Sequence, residues 1–406
     1  MKNNRTFLEN LLNGAEVEWK TLDEISSIYG GLTGKGKADF ENGNALYVPY
    51  KNIFNNIEVD FNNLEAVNVS DDERQYTIKY GDVLFTGSSE TAEEAGMSSA
   101  VTTKTEQKIY LNSFSFGLRF NDDVELLPEF SKFLFRTLSI RKEIVKSASG
   151  VTRFNISKAR FKKIKIPIPP LSVQTEIVRI LDALTALTSE LTSELTLRRK
   201  QYEYYREKLL SHNDSENSSQ QKVDKDKLFS TSNIQWLHLN EIYKFQYGIG
   251  NKIPTIGGEY PVYGSNGIVG SHYEYNSEDA PVIGHIGAYA GIVNWAEGKH
   301  FVTYNGIICN KINDNVNSRY AYYLLLSQNF IDKANKASQP FISYDILNKC
   351  IVPVPPIGEQ QRIVSILDKF ETLTNSITEG LPLAIEQNQK RYEYYRELLL
   401  NFPGRE

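Results

Sequence analysis

The sequence is poor in the residues that build metal centres and disulfide frameworks. Only two cysteines, Cys309 and Cys350, occur in 406 residues, and they form no Cys-x-x-Cys motif. The five histidines include no His-x-His or His-x-x-x-His pair. This usage fits a reducing cytoplasm and argues against a zinc site or any other metal centre.

Long apolar runs and enzyme motifs are also missing. No run of 18 apolar residues is present, so we expect no membrane span. The start, Met1 to Arg5, leads into no apolar stretch, so we expect no secretory signal. The segment 31–38 resembles a phosphate-binding loop, but Ala38 stands where a Ser or Thr hydroxyl should hold Mg²⁺. The sequence therefore predicts a cytoplasmic protein without catalytic residues of its own.

The charge balance excludes a uniformly basic nucleic-acid binder. The chain has 45 basic and 50 acidic residues, a net charge of −5. Any DNA-binding surface must then come from local segregation of charge, or from a partner. With 40% apolar residues, the chain is typical of globular proteins, and its length predicts two or three domains.

An internal repeat is the most informative feature that is present. The segment from Ile166 to Leu171 recurs from Val352 to Ile357, and the match continues to Asp182 and Asp368. The hexapeptide Tyr-Glu-Tyr-Tyr-Arg-Glu at 202–207 recurs at 392–397. The offset grows from 186 to 190 residues, so the second copy holds four extra residues, near 380–383. Such self-similarity predicts one structural unit written twice.

Each copy carries a long helical pattern after a pair of prolines. Proline cannot continue a helix, so we expect each helix to begin there, with Ser172 as the N-cap of the first. Gly380 and Pro382 are expected to interrupt the second helix. Apolar residues recur every seven positions, which is typical of a seam between packed helices. The predicted seam consists of Ile177, Leu184, Leu191, Tyr202, Ile363, Phe370, Ile377 and Tyr392.

The stretches before the helices are predicted to be globules. In both, short β-rich runs alternate with Gly and Asn turns, and a short helix is expected near 129–137 and 319–327. The pattern predicts an α+β protein, with two α/β domains separated by two long coiled-coil helices in a pseudo-two-fold repeat. The predicted boundaries are 1–166 and 231–352 for the globules, 167–212 and 353–402 for the helices, and 213–230 for a polar linker.

One segment concentrates positive charge. Between Ile140 and Ile166 there are nine Lys or Arg residues and one acid, Glu143. Such a cluster suits DNA, because each cation on a phosphate releases a condensed counterion. In its loop, Arg153 and Asn155 are candidates for contacts to base edges.

Candidate DNA contacts were chosen from this run and from polar turns of both globules. The second globule offers few cations, so it is expected to read bases through amide, hydroxyl and aromatic groups. The candidates are Lys35, Lys37, Tyr50, Lys51, Asn52, Arg74, Ser88, Ser89, Arg153, Asn155, Lys158, Arg160, Lys162, Lys163, Tyr263, Ser265, Asn266, His285, Tyr289, Tyr304, Asn305, Gln339 and Ser343.

The repeated hexapeptides predict a subunit interface. Tyr202 and Tyr392 fall on the seam, whereas their neighbours project to other faces. Tyr and Arg are enriched in protein interfaces. The predicted docking residues are Tyr204, Tyr205, Arg206, Tyr394, Tyr395 and Arg396.

The whole arrangement resembles the specificity subunit of type I restriction–modification systems. The residues that carry the resemblance are 167–182 and 201–210, with their repeats at 353–368 and 391–400. The segment 353–364 is similar to the helix start of that family, and 260–267 is similar to a strand and turn of its target recognition domains.

The resemblance implies a non-catalytic DNA-recognition subunit. Each globule would be a target recognition domain that binds one half of a split, asymmetric double-stranded target. The two long helices would pack antiparallel and set the spacing. Two modification subunits would bring S-adenosylmethionine and methylate adenine N6. Two restriction subunits would add translocation and cleavage that depend on ATP and Mg²⁺. This chain itself would bind no cofactor.

Two alternatives remain open from the residues alone. Glu106 and Lys108 have the Glu-x-Lys spacing of some nucleases, so a stand-alone nuclease is one. The other is a coiled-coil adaptor whose globules bind protein or glycan. The basic run argues against the adaptor.

Overall fold

The computed structural model describes residues 2–41, 43–211, 233–250, 252–335, 338–376 and 378–404, with side chains from Phe7 onward. The predicted linker 213–230, as well as Ile377 of the predicted seam, lie outside these residues. The part of the chain that is described mixes helices with short, mainly antiparallel strands, which confirms the α+β class.

The first globule alternates strands and short helices. Its strands are β1 (Glu18–Thr21), β2 (Ser26–Gly30), β3 (Ala45–Val48), β4 (Glu65–Val67), β5 (Val83–Thr86), β6 (Ser88–Ser89), β7 (Ser98–Ala100), β8 (Ile109–Leu111), β9 (Ser115–Phe120), β10 (Ala148–Ser149), β11 (Phe154–Ile156) and β12 (Lys165–Ile168). Its helices are α1 (Lys2–Leu12), α2 (Leu22–Ile25), α3 (Tyr50–Asn55), α4 (Pro128–Leu134), α5 (Leu138–Ser147) and α6 (Lys158–Phe161), with a 3-10 turn at Lys37–Phe40.

The long helix α7 (Leu171–Leu210) follows, and then the second globule. Its strands are β13 (Gln235–His238), β14 (Tyr243–Tyr247), β15 (Tyr260–Gly264), β16 (Gly267–His272), β17 (Ser277–Gly284), β18 (Val293–Val302), β19 (Gly306–Lys311) and β20 (Ile351–Val354). Its helices are α8 (Leu239–Ile242), α9 (Ser318–Ser327), α10 (Phe330–Lys333) and α11 (Tyr344–Asn348). The chain closes with α12 (Ile357–Asn375) and α13 (Leu381–Leu399).

The chain forms two compact units. Unit 1 comprises Met1–Glu190 and Ile385–Glu406, and unit 2 comprises Leu191–Ala384. Each unit therefore holds one globule, the start of the helical segment that follows it, and the end of the helical segment from the other copy. The predicted boundaries assigned each helix to one copy, whereas the compact units divide α7 after Glu190.

In unit 1, the largest sheet has the order β2-β9-β5-β7. Its apolar face packs on α4, α5 and α6 through a cluster of phenylalanines. The ring of Phe85 lies 5.4 Å from that of Phe116, 5.3 Å from that of Phe135 and 4.9 Å from that of Phe161. Aromatic pairs of this kind contribute about 0.5–1.5 kcal/mol each beyond their buried area. This cluster fixes the strands that carry the candidate site.

In unit 2, a single sheet has the order β14-β19-β17-β18-β15-β16. Helix α9 supplies the core on one side, with Tyr320 and Tyr323 fully buried. Both units also contain a two-stranded ribbon that joins the first strand of the globule to the strand before the helix. Trp19 pairs with Pro167 in unit 1, and Trp236 pairs with Pro353 in unit 2. Trp19 and Trp236 therefore lie in equivalent strands of the two units.

Within each unit, the two helical segments run antiparallel. In unit 1, the Asn388 amide donates hydrogen bonds to Leu184 O and Thr188 Oγ1, both at 2.8 Å, while Leu399 shares an apolar cluster with Ile177. In unit 2, the ring of Phe370 stacks 5.8 Å from that of Tyr205, and Arg199 donates to Thr374 O. As the residue number rises in one helix it falls in its neighbour.

A buried glutamine locks the start of the helical segment in both units. Gln174 is fully buried, donates to Pro169 O (2.7 Å) and Glu125 O (2.8 Å), and accepts from Leu127 N (2.8 Å). Gln360 repeats the pattern, with donation to Pro355 O and Asn315 O and acceptance from Asn317 N. The repeated Pro-Pro-x₃-Gln motif thus ties the helix to the loop that precedes α4 or α9.

A second repeated contact joins the same helix to the globule about two turns after the glutamine. Lys132 Nζ lies 2.8 Å from Asp182, and Arg319 Nη2 lies 3.0 Å from Asp368. In unit 2 the Tyr323 hydroxyl also donates to Asp368, and the burial of that hydroxyl raises the pKa of Tyr323. Equivalent aspartates in the repeat therefore have equivalent structural roles.

Two local predictions about the helices meet different outcomes. Helix α7 begins at Leu171, and Val173 N donates to Pro170 O, so Ser172 lies inside the first turn and its prediction as N-cap was wrong. The prediction of an interruption near Gly380 is confirmed, because α12 ends at Asn375 and α13 begins at Leu381. Gly380 has φ +85°, a left-handed conformation that favours glycine.

Candidate functional site

Part of the sequence-predicted residues of each globule lies at one construction that recurs in both units. Three segments meet there: the end of a central strand, a tight turn before the next strand, and a segment that returns before the last short helix. In unit 1 these are 87–89, 112–115 and 153–158, which we call junction 1. In unit 2 they are 284–287, 303–306 and 339–344, which we call junction 2.

The same backbone hydrogen bonds close both junctions. Gly87 N donates to Phe114 O at 2.7 Å, and His285 N donates to Asn305 O at 2.8 Å. The returning segment completes the pattern, since Ile156 N donates to Gly87 O (3.0 Å) and Ile342 N donates to His285 O (2.9 Å). The two junctions are therefore the same structure, although few of their side chains match.

A glycine allows the tight turn of each junction to form. An added Cβ at Gly31 would lie 1.9 Å from Asn112 O, and one at Gly248 would lie 2.1 Å from Thr303 O. Any larger residue would collide with these carbonyls, so the close approach requires glycine. The glycine-rich segment at 31–38 thus begins with a glycine that close packing requires. Its end forms part of a four-residue 3-10 turn, Lys37–Phe40.

Junction 1 borders an open cleft of about 310 Å³, which is lined by aromatic and charged side chains. The cleft gathers five of the sequence-predicted residues, namely Tyr50, Lys51, Ser88, Ser89 and Arg153. The Tyr50 hydroxyl donates to Ser88 O at 2.8 Å, and its partial burial raises the pKa of Tyr50. The guanidinium of Arg153 lies 6.0 Å from the centre of the Phe114 ring. These residues offer donors and flat apolar surface at one place.

The strand β11 explains how Arg153 and Asn155 reach the same face. Asn155 pairs with Ser88 and Ser149 in the small sheet β10-β11-β6. Side chains alternate along a strand, so residues 153 and 155 share one face and 154 and 156 the other. In agreement, Arg153 and Asn155 are exposed, whereas Phe154 and Ile156 are half-buried.

Junction 2 is built from stacked rings. The ring of Tyr247 lies 4.3 Å from that of Tyr344 and 4.4 Å from that of His285, and His285 lies 5.0 Å from Tyr304. His285 Nδ1 lies 3.0 Å from Tyr304 O, and a carbonyl only accepts, so Nδ1 carries the proton. Burial raises the pKa of Tyr247. Tyr304 in this stack is about half exposed, and so is Tyr289, which lies a few residues after His285 in the chain.

A hairpin turn adjoins junction 2. Ser265 and Asn266 form the turn between β15 and β16, and an added Cβ at Gly284 would lie 2.5 Å from Ser265 O. Polar groups of this turn are thus next to the aromatic stack. Tyr263, in contrast, is a core residue of β15 whose ring packs 5.4 Å from that of His300.

The basic run divides into structural and exposed cations. Arg141 is directed inward, donates to the carbonyls of Gly96, Ala95 and Glu93, and burial lowers its pKa to about 10. Lys162 forms a surface ion pair with Asp23 at 2.9 Å. The exposed cations of this run are Lys142, Lys146, Arg153, Lys158, Arg160, Lys163 and Lys165, of which Arg153 and Lys158 belong to junction 1.

Several sequence-predicted contacts have internal roles instead, and we withdraw them as DNA contacts. Lys35 is largely buried in an ion pair with Glu73 at 2.5 Å. Asn52 is buried and bonds to the backbone of Asp60 and Asn63. The side chains of Ser88, Ser89, Tyr263 and His285 are also buried, and Ser343 caps α11 by accepting from Ile346 N. Lys37 and Arg74 are exposed, but they lie on the loops that the Lys35–Glu73 pair joins, outside junction 1.

The repeated hexapeptides each expose one tyrosine. Tyr204 is 57% exposed and Tyr394 is 49% exposed. Tyr205 and Tyr395 pack against the cores of their own units, and Arg206 and Arg396 lie over the rings of Tyr202 and Tyr392. The predicted docking surface therefore reduces to two exposed rings. On the seam, Ile177, Tyr202 and Ile363 are buried, Leu184, Leu191, Phe370 and Tyr392 are half-buried, and the ring of Tyr392 faces Phe133 of the globule.

Sequence reasoning missed part of both junctions. Phe114, Glu90 and Glu94 line the cleft of junction 1, and Tyr247 and Tyr344 form the stack of junction 2. The repeat offset of 186 carries a usable signal, because it aligns Tyr344 with Lys158 and Gln339 with Arg153. The described residues include no group of three or more His, Cys, Asp or Glu side chains placed to hold a metal ion. They also contain no helix both long and apolar enough for a membrane.

Comparison with known proteins gives consistent matches over nearly the whole chain. The family model described as the type I restriction modification DNA specificity domain matches residues 15–198 and 239–387. A putative type I restriction enzyme specificity subunit from Haemophilus influenzae is 38% identical over 99% of this chain and 100% of its own length. The specificity subunit of the Escherichia coli type I enzyme EcoprrI is 30% identical over 92% of both chains. The crystal structure of the S subunit of a type I system from M. genitalium superposes with a TM-score of 0.53 at 18% identity, covering 97% of this chain and 98% of that one.

Proposed function

Since the chain belongs to the family of type I restriction–modification specificity subunits, we propose that junctions 1 and 2 read the two parts of a split double-stranded DNA target. The observation that carries this proposal is the repeated construction. Two junctions with the same backbone hydrogen bonds present different side chains, as expected of two readers on one scaffold. The difference between the side chains supports an asymmetric target.

The chemistry of the exposed side chains suits DNA. In unit 1, the exposed Lys158, Arg160 and Lys163 offer cations for phosphates, and Arg153 and Asn155 at junction 1 offer donors for base edges. Junction 2 presents Asn305, Gln339 and tyrosine rings instead. Phosphate contacts then come mainly from unit 1 and from partner subunits.

The partners in this proposal are modification and restriction subunits. The chain contributes recognition, and the partners contribute S-adenosylmethionine-dependent methylation of adenine N6 and ATP- and Mg²⁺-dependent translocation and cleavage. We place the docking of two modification subunits at the exposed rings of Tyr204 and Tyr394. Large, half-exposed aromatic side chains are common hot spots, and truncation of one typically costs 2 kcal/mol or more, about 30-fold in affinity.

Genome-wide mapping of N6-methyladenine tests the proposal, with and without this chain, in cells that express the modification subunit. A methylated bipartite motif that depends on the chain supports it. Replacement of residues 231–352 by another recognition domain should change one half of the motif and leave the other intact. Methylation that is independent of the chain would refute the proposal.

Two further experiments separate the alternatives. Cleavage of plasmid by the purified chain with Mg²⁺ alone would favour a nuclease. For an adaptor, charge reversal of Lys158 and Lys163 would not change DNA retention, and binding would be insensitive to salt.

Tyr204→Ala and Tyr394→Ala should weaken assembly with the modification subunit. Leu187→Ala serves as the control, because Leu187 is an exposed apolar residue of α7, the helix that carries Tyr204.

A further inference from the structure

The equivalence of the two junctions relates one exposed side chain of unit 1 to one exposed side chain of unit 2. In junction 1, Asn155 pairs with Ser88; in junction 2, Phe341 forms a bridge with Ile286. Two residues before each of these lie Arg153 and Gln339. Both side chains are exposed, and each residue is the first of the returning segment of its junction.

The surroundings of Arg153 favour a base over a phosphate. Glu90 and Glu94 line the same cleft and are exposed. Two carboxylates beside the guanidinium repel a phosphate but are compatible with the neutral edges of bases. Among the described residues Arg153 forms no ion pair, so its five donors are available. The ring of Phe114 holds the guanidinium from one side, which favours a defined orientation.

The backbone that follows Gln339 is anchored. Gly287 N donates to the carbonyl of the next residue, Pro340, at 2.8 Å. A residue that precedes proline is restricted to extended backbone conformations, so the backbone that carries the Gln339 side chain has limited freedom. Fixed attachment is what a side chain needs for bidentate contact to one base.

We propose that Arg153 and Gln339 are the specificity-determining side chains of the two halves, Arg153 for a guanine and Gln339 for an adenine. Arginine pairs bidentately with O6 and N7 of guanine, and glutamine with N6 and N7 of adenine, in the major groove. This inference rests on the proposed function, because it assumes that the junctions meet DNA. Beyond the proposed function, it names the residue that reads each half of the target and the base that this residue reads.

The test uses the complete complex with modification subunits and maps the methylated motif for Arg153→Gln and Gln339→Arg. Arg153→Gln should remove the preference for guanine at one position of one half-site, lowering discrimination there about ten-fold or more. Gln339→Arg should change one adenine position of the other half. Each variant should leave the opposite half-site unchanged. Matched controls are Arg179→Gln and Gln235→Arg, which are exposed and lie outside the junctions.

Several results would overturn the inference and leave the proposed function intact. One is a wild-type motif that lacks guanine in one half or adenine in the other. Another is an unchanged motif in variants that still assemble. A third is an Arg153→Gln complex that loses affinity equally on all duplexes with a smaller salt dependence, which identifies a phosphate contact. A wild-type complex with no sequence preference would instead refute the proposed function. If one variant failed to assemble, the reciprocal variant in the other unit would decide.

Discussion

The lock formed by Gln360 allows a quantitative prediction about what holds unit 2 to its helix. Gln360 is 1% exposed, donates to Pro355 O at 2.8 Å and Asn315 O at 3.1 Å, and accepts from Asn317 N at 2.8 Å. Gln360→Met keeps the volume but removes all three hydrogen bonds. The buried Pro355 carbonyl, the partly buried Asn317 N–H and the partly buried Asn315 carbonyl then lose that partner.

The cost follows from the groups that are left unpaired. A buried donor or acceptor that loses its partner costs about 1–3 kcal/mol, and carbonyls with a second lone pair cost the least. For one N–H and two carbonyls we expect a loss of about 3–5 kcal/mol. For a unit of this size, each kcal/mol lowers the melting temperature by about 2–4 °C, so a decrease of about 6–20 °C is expected.

The tryptophans of the chain provide the assay. Of the three, Trp19 lies in unit 1, whereas Trp236 and Trp295 lie in unit 2. In a Trp19→Phe background, tryptophan fluorescence therefore reports the unfolding of unit 2 alone. The neighbouring Gln361→Met provides the control, because Gln361 is exposed, and Gln174→Met should leave this transition unchanged. Equal midpoints for Gln360→Met and Gln361→Met would refute the reasoning.

Three other outcomes are expected. His300 is buried in unit 2, and burial lowers its pKa below the ordinary 6.5. Its neutral form therefore stabilises the fold above pH 6.5, and that contribution is lost as the pH falls through the folded pKa. His300→Phe should make the urea midpoint of unfolding depend less on pH between pH 7.5 and 5. Arg136 donates to the carbonyls of Ile53, Phe54, Asn56 and Ser98, so Arg136→Met should destabilise unit 1 by about 2–4 kcal/mol in chemical denaturation. Deletion of 380–383, at the break between α12 and α13, should change the spacing of the methylated half-sites or prevent assembly, and leave their base identities unchanged, which methylome mapping would detect.

The helices were predictable because their signal is local. A period of seven, a proline pair at the start and a glycine at the break are each read from a few neighbouring residues. The structure agrees with these features to within a few residues, apart from Ser172. The identity of the segments as equivalent units was likewise predictable, because the repeat itself carries it.

The junctions were only partly predictable, because they depend on contacts between residues distant in sequence. Nothing near Tyr247 in the sequence indicates that Tyr344, almost a hundred residues later, stacks on it. Lys35 and Asn52 illustrate the opposite error. Both stand in polar turns typical of binding loops, and only the fold shows that Glu73 and the backbone of Asp60 already engage them.

In each unit, the residues that fix the backbone of the junction are not the residues proposed to read DNA, and this separation affects how specificity can change. The groups that fix the backbone of the junctions are buried and bonded, namely the glycines beside Asn112 and Thr303 and the locks of Gln174 and Gln360. Among the residues that differ between the junctions, Arg153 and Gln339 are exposed. Substitution of an exposed side chain typically changes stability by less than about 0.5 kcal/mol, whereas a bidentate base contact is worth about 1–3 kcal/mol of discrimination. A change at Arg153 or Gln339 can therefore alter the preferred sequence several-fold or more while the scaffold that positions it stays folded.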